Sequence, residues 1–211
     1  MKAWTWTTVL VLASAAVAAD QAVLLTANGL ENEKYSQYKK APKVELKGAG
    51  YYATPAMLGE KGTAEALIPF RKGILTNGDS SQAWKRKPGP YTYWTGKKQG
   101  ELFFVFGQSC RIERVRICLL FSKTSGCEEI RLYAGAKPSP VAAKVEGGQA
   151  PKALATIAKP KKKWNEIKDL NVTTDGLRFL LKRAPRMRYL HVTEVEVWGV
   201  PIEPARGMAA P

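Results

Sequence analysis

The chain has 211 residues and 23.2 kDa, with 33 Lys and Arg against 18 Asp and Glu, a formal charge of +15. That length allows one domain of ordinary size with loose ends, and 45% hydrophobic with 24% charged residues is a globular composition rather than a disordered one. A single histidine and three cysteines exclude the two-His, three-His and four-thiolate metal sites.

In chain order, the first segment reads as a signal peptide over residues 1–19. Lys2 gives a positive start, and Val9 to Ala19 is an apolar run too short to span a bilayer. Ala16-Val17-Ala18 is a small-residue cleavage site followed by Asp20, so removal after Ala18 or Ala19 is expected. An uncleaved anchor is the alternative. Loss of Lys2 leaves 15 − 1 = +14 on a secreted or periplasmic chain, with no transmembrane segment expected in it.

Residues 20–42 read as a polar leader or linker, and the domain is expected over 43–199. Lys43 to Ala56 looks like a short β segment broken by Gly48 and Gly50 and ended by Pro55. Thr63 to Phe70 carries the best helical stripe, one or two turns long. Gly73 to Ser81 is a turn cluster around Asn77-Gly78-Asp79. Residues 84–100 form a long loop dense in aromatics, Lys and Gly. Strands follow. Leu102 to Phe106 is apolar on both faces, whereas Arg111 to Phe121 alternates, with Val115, Ile117, Leu119 and Phe121 opposite Arg114, Arg116 and Cys118. Ile130, Leu132 and Ala134 share a face, as do Leu177, Phe179 and Leu181. Tyr189 to Trp198 sets Thr193, Val195 and Val197 against Glu194, Glu196 and Trp198. Many short strands with Gly/Pro turns and no βαβ alternation predict an all-β, antiparallel jelly-roll sandwich with few or no helices. Residues 200–211 are expected to be a flexible tail.

Export makes disulfides possible. Cys110 and Cys118 lie on one extended segment, roughly 26 Å apart at ~3.3 Å per residue, too far to bridge. Cys127 can pair with Cys118 or Cys110. The Cys118–Cys127 pairing closes the smaller loop and is preferred, with three buried thiols as the alternative.

Six segments in this order resemble a known family. They are Ile74-Leu-Thr-Asn-Gly-Asp79 with Trp84, Gly100 to Gly107, Ile112 to Ile117, Glu129 to Tyr133, Leu177 to Leu181, and Thr193-Glu-Val-Glu-Val-Trp-Gly199. Together they resemble the discoidin domain, also called the coagulation-factor type C domain, a galactose-binding-domain-like jelly roll. The resemblance covers about residues 43 to 199. Asn77 stands where the family has aspartate, Gln82 where it usually has threonine, and basic residues crowd a loop that is neutral in many members.

The resemblance implies a structural Ca²⁺ held by Asn77, Asp79 and Glu194 with turn carbonyls, an oxygen-rich set suited to that ion. A metal-free turn capped by Asp79 is the plain alternative. It also implies that Trp84 and Trp94 belong to the core. Tyr91 and Tyr93, and independently Trp164, are the aromatics expected to stack on sugar faces. The charge excess concentrates at Lys85-Arg86-Lys87, Lys97-Lys98, Lys159 to Lys163 with Lys161 and Lys162, and Lys182 to Arg188 with Arg186. Gathered at one end of a sandwich, these would form a cationic surface for sulfate or carboxylate. A basic surface serving only solubility is the alternative. His191 stands alone and no Gly-x-Ser-x-Gly elbow exists, so no catalysis is expected. The expected function is a secreted carbohydrate-binding or adhesion module for an acidic polysaccharide or other anionic surface. The rival is a structural or protein-interaction domain of the cell envelope; nucleic acid is disfavoured because the chain is exported and has no helix-turn-helix or zinc module.

Overall fold

The apolar stretches 102–106 and 111–121 turn out to belong to one strand. In the computed structural model, which describes residues 21–26, 42, 44, 46–53, 57–58, 67–70, 73–78, 80, 92–95, 98–135 and 152–202, they join as Gln99–Leu119. In chain order the strands are β1 (Val23–Leu24), β2 (Gly50–Ala53), β3 (Met57–Leu58), β4 (Ile68–Pro69), β5 (Thr92–Thr95) and β6 (Gln99–Leu119). Then come β7 (Cys127–Ala134), β8 (Ala155–Ala158), β9 (Lys163–Ile167), β10 (Val172–Arg183) and β11 (Tyr189–Pro201). Every ladder between these strands is antiparallel, and no α-helix forms among the described residues. The all-β expectation holds.

β6 sets the architecture because it cannot lie straight. Gln99 pairs with Lys182 at the end of β10, and Leu119 pairs with Val192 at the start of β11. The short connection Ala184 to Arg188 joins those two strands, whereas a straight strand of 21 residues would span roughly 70 Å. The two ends of β6 therefore meet at one pole, and the strand folds back between them. The bend falls at Gly107, whose φ is a left-handed +73° and where a Cβ would sit 2.0 Å from the Lys47 carbonyl oxygen. β10 shifts register opposite it, between Thr174 and Gly176. The first half of β6 joins the layer β4-β2-β6-β10-β7-β8. Its second half joins the layer β3-β5-β11-β6-β9, with β1 along β11.

The space between the layers is filled from the alternating positions. Leu102, Phe104 and Phe106, then Val115, Ile117 and Leu119, face Ile130, Leu132, Leu177, Phe179, Val195 and Val197, all fully buried. The Phe104 ring stacks on Tyr51 at 5.4 Å and meets Phe179 edge-on at 5.5 Å. Trp94 is completely buried, and its indole would lie 2.4 Å from any Cβ at position 100, so glycine is required there. Each such side chain contributes about 1.5–3 kcal/mol of burial.

Several boundaries differ from the sequence reading. The domain starts before Lys43, because Val23 and Leu24 pair with Gly199 and Trp198 in a stretch read as leader. It ends later than Gly199, since β11 runs to Pro201 and the Ile202 N–H donates to the Ser109 carbonyl at 2.9 Å. Residues 92–95, read as loop, are β5, and 68–69, read as helical, are β4. Strands of two to five residues are too short to show a period. The segments 1–20, 27–41 and 203–211 lie outside the described residues.

The expected Cys118–Cys127 disulfide is not formed: Cys110, Cys118 and Cys127 are buried thiols. Cys118 pairs with Trp164 and Glu194 in one layer, and Cys127 opens β7 opposite Arg183 in the other. Burial pushes the Cys110 and Cys118 thiols up to about 11 and Cys127 up to about 12, so all three stay protonated and inert.

Candidate functional site

Because both ends of β6 reach the same pole, so do the loops that continue from its neighbours. Lys163 pairs with Leu119, Arg183 with Cys127, and the Lys159 N–H donates to the Glu128 carbonyl at 2.8 Å. The Arg188 N–H donates to the Thr124 carbonyl at 2.8 Å, and the Arg183 N–H to the Lys98 carbonyl at 2.9 Å. Segments 120–126, 159–163 and 183–188 thus meet, bringing Lys98, Lys123, Lys159, Lys161, Lys162, Lys163, Arg183, Arg186 and Arg188 together with no acidic residue in those three segments. For the described part of the chain, the basic loops do gather at one end. Glu128, whose carboxylate pairs with Lys182 at 3.3 Å, borders the group, and the balance of charge there is positive.

Within this pole lies a cleft of about 600 Å³ lined by Tyr93, Leu120, Ser122, Lys123, Thr124, Tyr189 and His191. Its aromatic wall comes from two strands in register, since His191 pairs with Tyr93 and Tyr189 with Thr95. The ring centroids are 5.2 Å apart for Tyr93–His191, 5.5 Å for Tyr189–His191 and 6.0 Å for Tyr93–Tyr189, the last edge-on. The Arg188 guanidinium lies over the Tyr189 ring at 5.1 Å.

His191 is held by Ser125, with Nδ1 and Oγ 2.7 Å apart. The Ser125 hydroxyl also lies 3.0 Å from the Leu120 carbonyl, which holds it beside the ring. Burial lowers the His191 pKa to about 4, which keeps the ring neutral at physiological pH. The cleft therefore presents aromatic rings, a neutral imidazole, the Ser122 and Thr124 hydroxyls and one ammonium.

The outer face of the β9-β6-β11 layer is organised differently. Arg116 pairs with the buried Glu196 at 2.8 Å and covers the half-buried Trp164 ring at 4.2 Å. Arg114 sits 4.5 Å from the Trp198 ring and 3.6 Å from Glu166. Trp164, expected as a stacking platform, has that ring face taken by Arg116. The turn before β5 clamps onto the same strand. The Gly78 N–H donates to Glu194 Oε2 at 3.0 Å, and the Val195 N–H donates to the Leu75 carbonyl at 2.7 Å.

Of the expected ligand residues, Tyr93 lies in the cleft, Lys161, Lys162 and Arg186 stand at its pole, and Trp164 lies on the outer face. Tyr91, Lys85, Arg86 and Lys97 fall outside the described residues. Of the expected calcium set, Asn77 and Glu194 come together through the Gly78 turn, and Asp79 falls outside. Tyr189, Lys123 and His191 as a lining group were not singled out from sequence. The signal that could have found them is the register that the closing strand imposes on whatever pairs with its first residues.

No family model and no curated protein matches the sequence. Solved structures do resemble the fold. The C-terminal domain of a chitobiase from Bacteroides fragilis matches at a TM-score of 0.50 and 8% identity, over 76% of this chain and 99% of that one. A chitosan-binding module from a chitosanase/glucanase of Paenibacillus sp. IK-5 matches at 0.47 and 13%, over 74% and 96%. A family 89 glycoside hydrolase of Clostridium perfringens, in complex with GlcNAc-alpha-1,4-galactose, matches at 0.48 and 14% over 89% of this chain, which spans only 16% of that enzyme. The likeness to the chitobiase domain shows the sandwich fold; the discoidin resemblance itself is matched by no family model.

Proposed function

We propose that the chain is a non-catalytic carbohydrate-binding module and that the cleft between Tyr93, Tyr189 and His191 is its sugar site. The observation that carries this reading is the ring triad, with centroids 5.2 to 6.0 Å apart, lining one concave surface together with two hydroxyls and an ammonium. A pyranose has an apolar C–H face and a ring of vicinal hydroxyls. Aromatic faces receive the first, and the imidazole, hydroxyls and ammonium receive the second. The described residues make a poor hydrolase, because none of those lining the cleft carries a carboxylate and glycoside hydrolysis needs a pair.

A glycan array followed by titration calorimetry tests the reading. Tyr189→Ala is expected to weaken the best neutral ligand at least tenfold while the fold persists. Undiminished affinity in Tyr189→Ala and Tyr93→Ala would place binding elsewhere. Capture of an envelope protein with no glycan signal would favour the rival interaction domain.

Two further proposals accompany it. Export with cleavage after Ala18 or Ala19 is checked by N-terminal sequencing of the mature chain. A calcium ion at the Gly78 turn would draw on Glu194 and Asn77, with Asp79 and turn carbonyls completing the set. Glu194 already receives the Gly78 N–H, so the turn is held without the ion, and calcium is expected to add only a small rise in melting temperature.

A further inference from the structure

The lysine turn between β8 and β9 is built rather than loose. Asn165, 7% exposed, accepts the Lys161 N–H at 2.7 Å and donates Nδ2 to the carbonyls of Lys161 at 2.8 Å and Lys163 at 3.2 Å. Within it Lys159 and Lys163 hold left-handed φ values of 53° and 70°. Residues with a Cβ avoid that region, and Asn and Asp tolerate it best. The other such positions are Asp169 and Asn171, which belong to the tolerant types, and Arg186, which does not. The Arg186 loop is also held from inside, by Arg183 Nη1 donating to the carbonyls of Met187 and Arg188.

Strain of this kind survives only where the surroundings impose it. Here it fixes exposed cations in place. Lys159, Lys161, Lys162, Lys163 and Arg186 make no ion pair with any described residue. A basic surface that served only solubility would need neither the buried Asn165 clamp nor left-handed lysines.

We propose that the Lys159–Lys163 turn, at the same pole as Arg186 and the aromatic cleft, is a preorganised anion subsite for a ligand held in that cleft. The ligand is then an acidic polysaccharide: one pyranose rests on the cleft rings while sulfate or carboxylate groups along the same chain meet the turn. This extends the sugar reading and rests on it. A lipid surface is disfavoured because, among the described residues, the large exposed apolar side chains, Leu67 and Ile202, sit at the opposite pole. Ile202 hydrogen-bonds Ser109 beside the β6 bend, and Leu67 precedes β4, whose partner Gly50 pairs with Val105 near it.

The test titrates the full chain with a sulfated hexasaccharide and with its desulfated counterpart, at 50 to 300 mM NaCl by order of magnitude around physiological screening. Three variants are compared: Lys161→Gln/Lys162→Gln, Asn165→Ala and Tyr189→Ala. The sulfated chain is expected to bind roughly tenfold tighter, with affinity falling steeply as salt rises. The lysine pair variant is expected to lose most of that advantage and about two units of salt slope, since each neutralised anion contributes roughly one. Asn165→Ala removes no charge, and its expected loss of sulfated-chain affinity isolates preorganisation. Should it fail to fold, the lysine pair, exposed and dispensable to packing, still decides. Sulfated-chain affinity within twofold of wild type in the lysine pair variant overturns the subsite. Loss of desulfated binding in Tyr189→Ala alongside that result leaves the cleft reading standing. Intact desulfated binding in Tyr189→Ala, with sulfated affinity lost in the lysine variant, removes the cleft and keeps the subsite. Tighter lysine-dependent binding to vesicles one-third phosphatidylserine, without response to the hexasaccharide, overturns the polysaccharide assignment.

Discussion

On the strands, arginines meet carboxylates: Arg178 with Glu101 at 2.8 Å, Arg116 with Glu196 at 2.8 Å, Arg131 with Glu129 at 2.8 Å and Arg114 with Glu166 at 3.6 Å. At the cleft pole Lys159, Lys161, Lys162, Lys163 and Arg186 instead sit on turns fixed by amides, carbonyls and backbone conformation, and they make no ion pair with a described residue. The contrast separates two uses of positive charge in one chain. Sheet arginines neutralise acids of the sheet, Glu196 among them fully buried, and Arg114 and Arg116 also cover tryptophan faces, so they belong to stability. Pole lysines do nothing for the sheet, and the fold nonetheless orients them.

Substitutions should sort along that line. The largest effect is expected for Glu101→Ala, which leaves the Arg178 guanidinium, 4% exposed, without its partner. Breaking such a buried pair typically costs about 3–5 kcal/mol, read as a lower denaturant midpoint. Replacing both residues, as Arg178→Met with Glu101→Leu, should recover most of it. A loss below about 1 kcal/mol for the single change would break the distinction between sheet and pole charges.

The next effect is a pH dependence at the cleft. The folded His191 pKa of about 4 lies below the ordinary 6.5, so the unfolded chain takes up the proton first. Stability is therefore full above about pH 6.5 and falls as pH drops toward about 4. For a half-buried ring the loss should be roughly 1–2 kcal/mol after solvent screening, and His191→Gln should flatten it. Protonating the folded ring also changes what the imidazole offers a sugar hydroxyl, so sugar affinity should hold through the stability loss and decline only near and below about pH 4. Affinity unchanged well below that pH, in protein still folded, would remove His191 from the binding surface.

The smallest stability effect belongs to the pole. Lys161→Gln/Lys162→Gln should shift the unfolding free energy by less than about 0.5 kcal/mol, as exposed substitutions do. The three thiols should likewise resist a thiol reagent at pH 8 until denaturant exposes them, because burial holds them at about 11 to 12.

The sandwich was legible in the sequence where alternation was long: Val115 to Leu119, Ile130 to Leu132 and Leu177 to Leu181 all face the core as their spacing predicts. Closure at Gly107 was not legible, because a lone glycine between two apolar runs reads equally as a loop. The cationic residues were visible as composition, and their shared pole followed only once β6 was known to fold back. The cleft was half legible. Tyr93 stood out as an aromatic in a polar loop, but Tyr189 and His191 read as ordinary strand positions until the pairing of His191 with Tyr93 set them beside it. The Asn165 clamp leaves no sequence signature, since an asparagine after a tryptophan in a strand predicts no turn two to four residues upstream.

The most direct test of the account is amide chemical-shift mapping of the labelled protein with the sulfated hexasaccharide. Binding at the aromatic cleft and basic pole predicts saturable shifts in residues 120–125, 159–165 and 183–191, with little change around Arg114 and Trp198 on the outer face. Shifts centred instead on the hollow between Gln21, Glu113 and Trp198, or an unperturbed pole at saturating ligand, would contradict it.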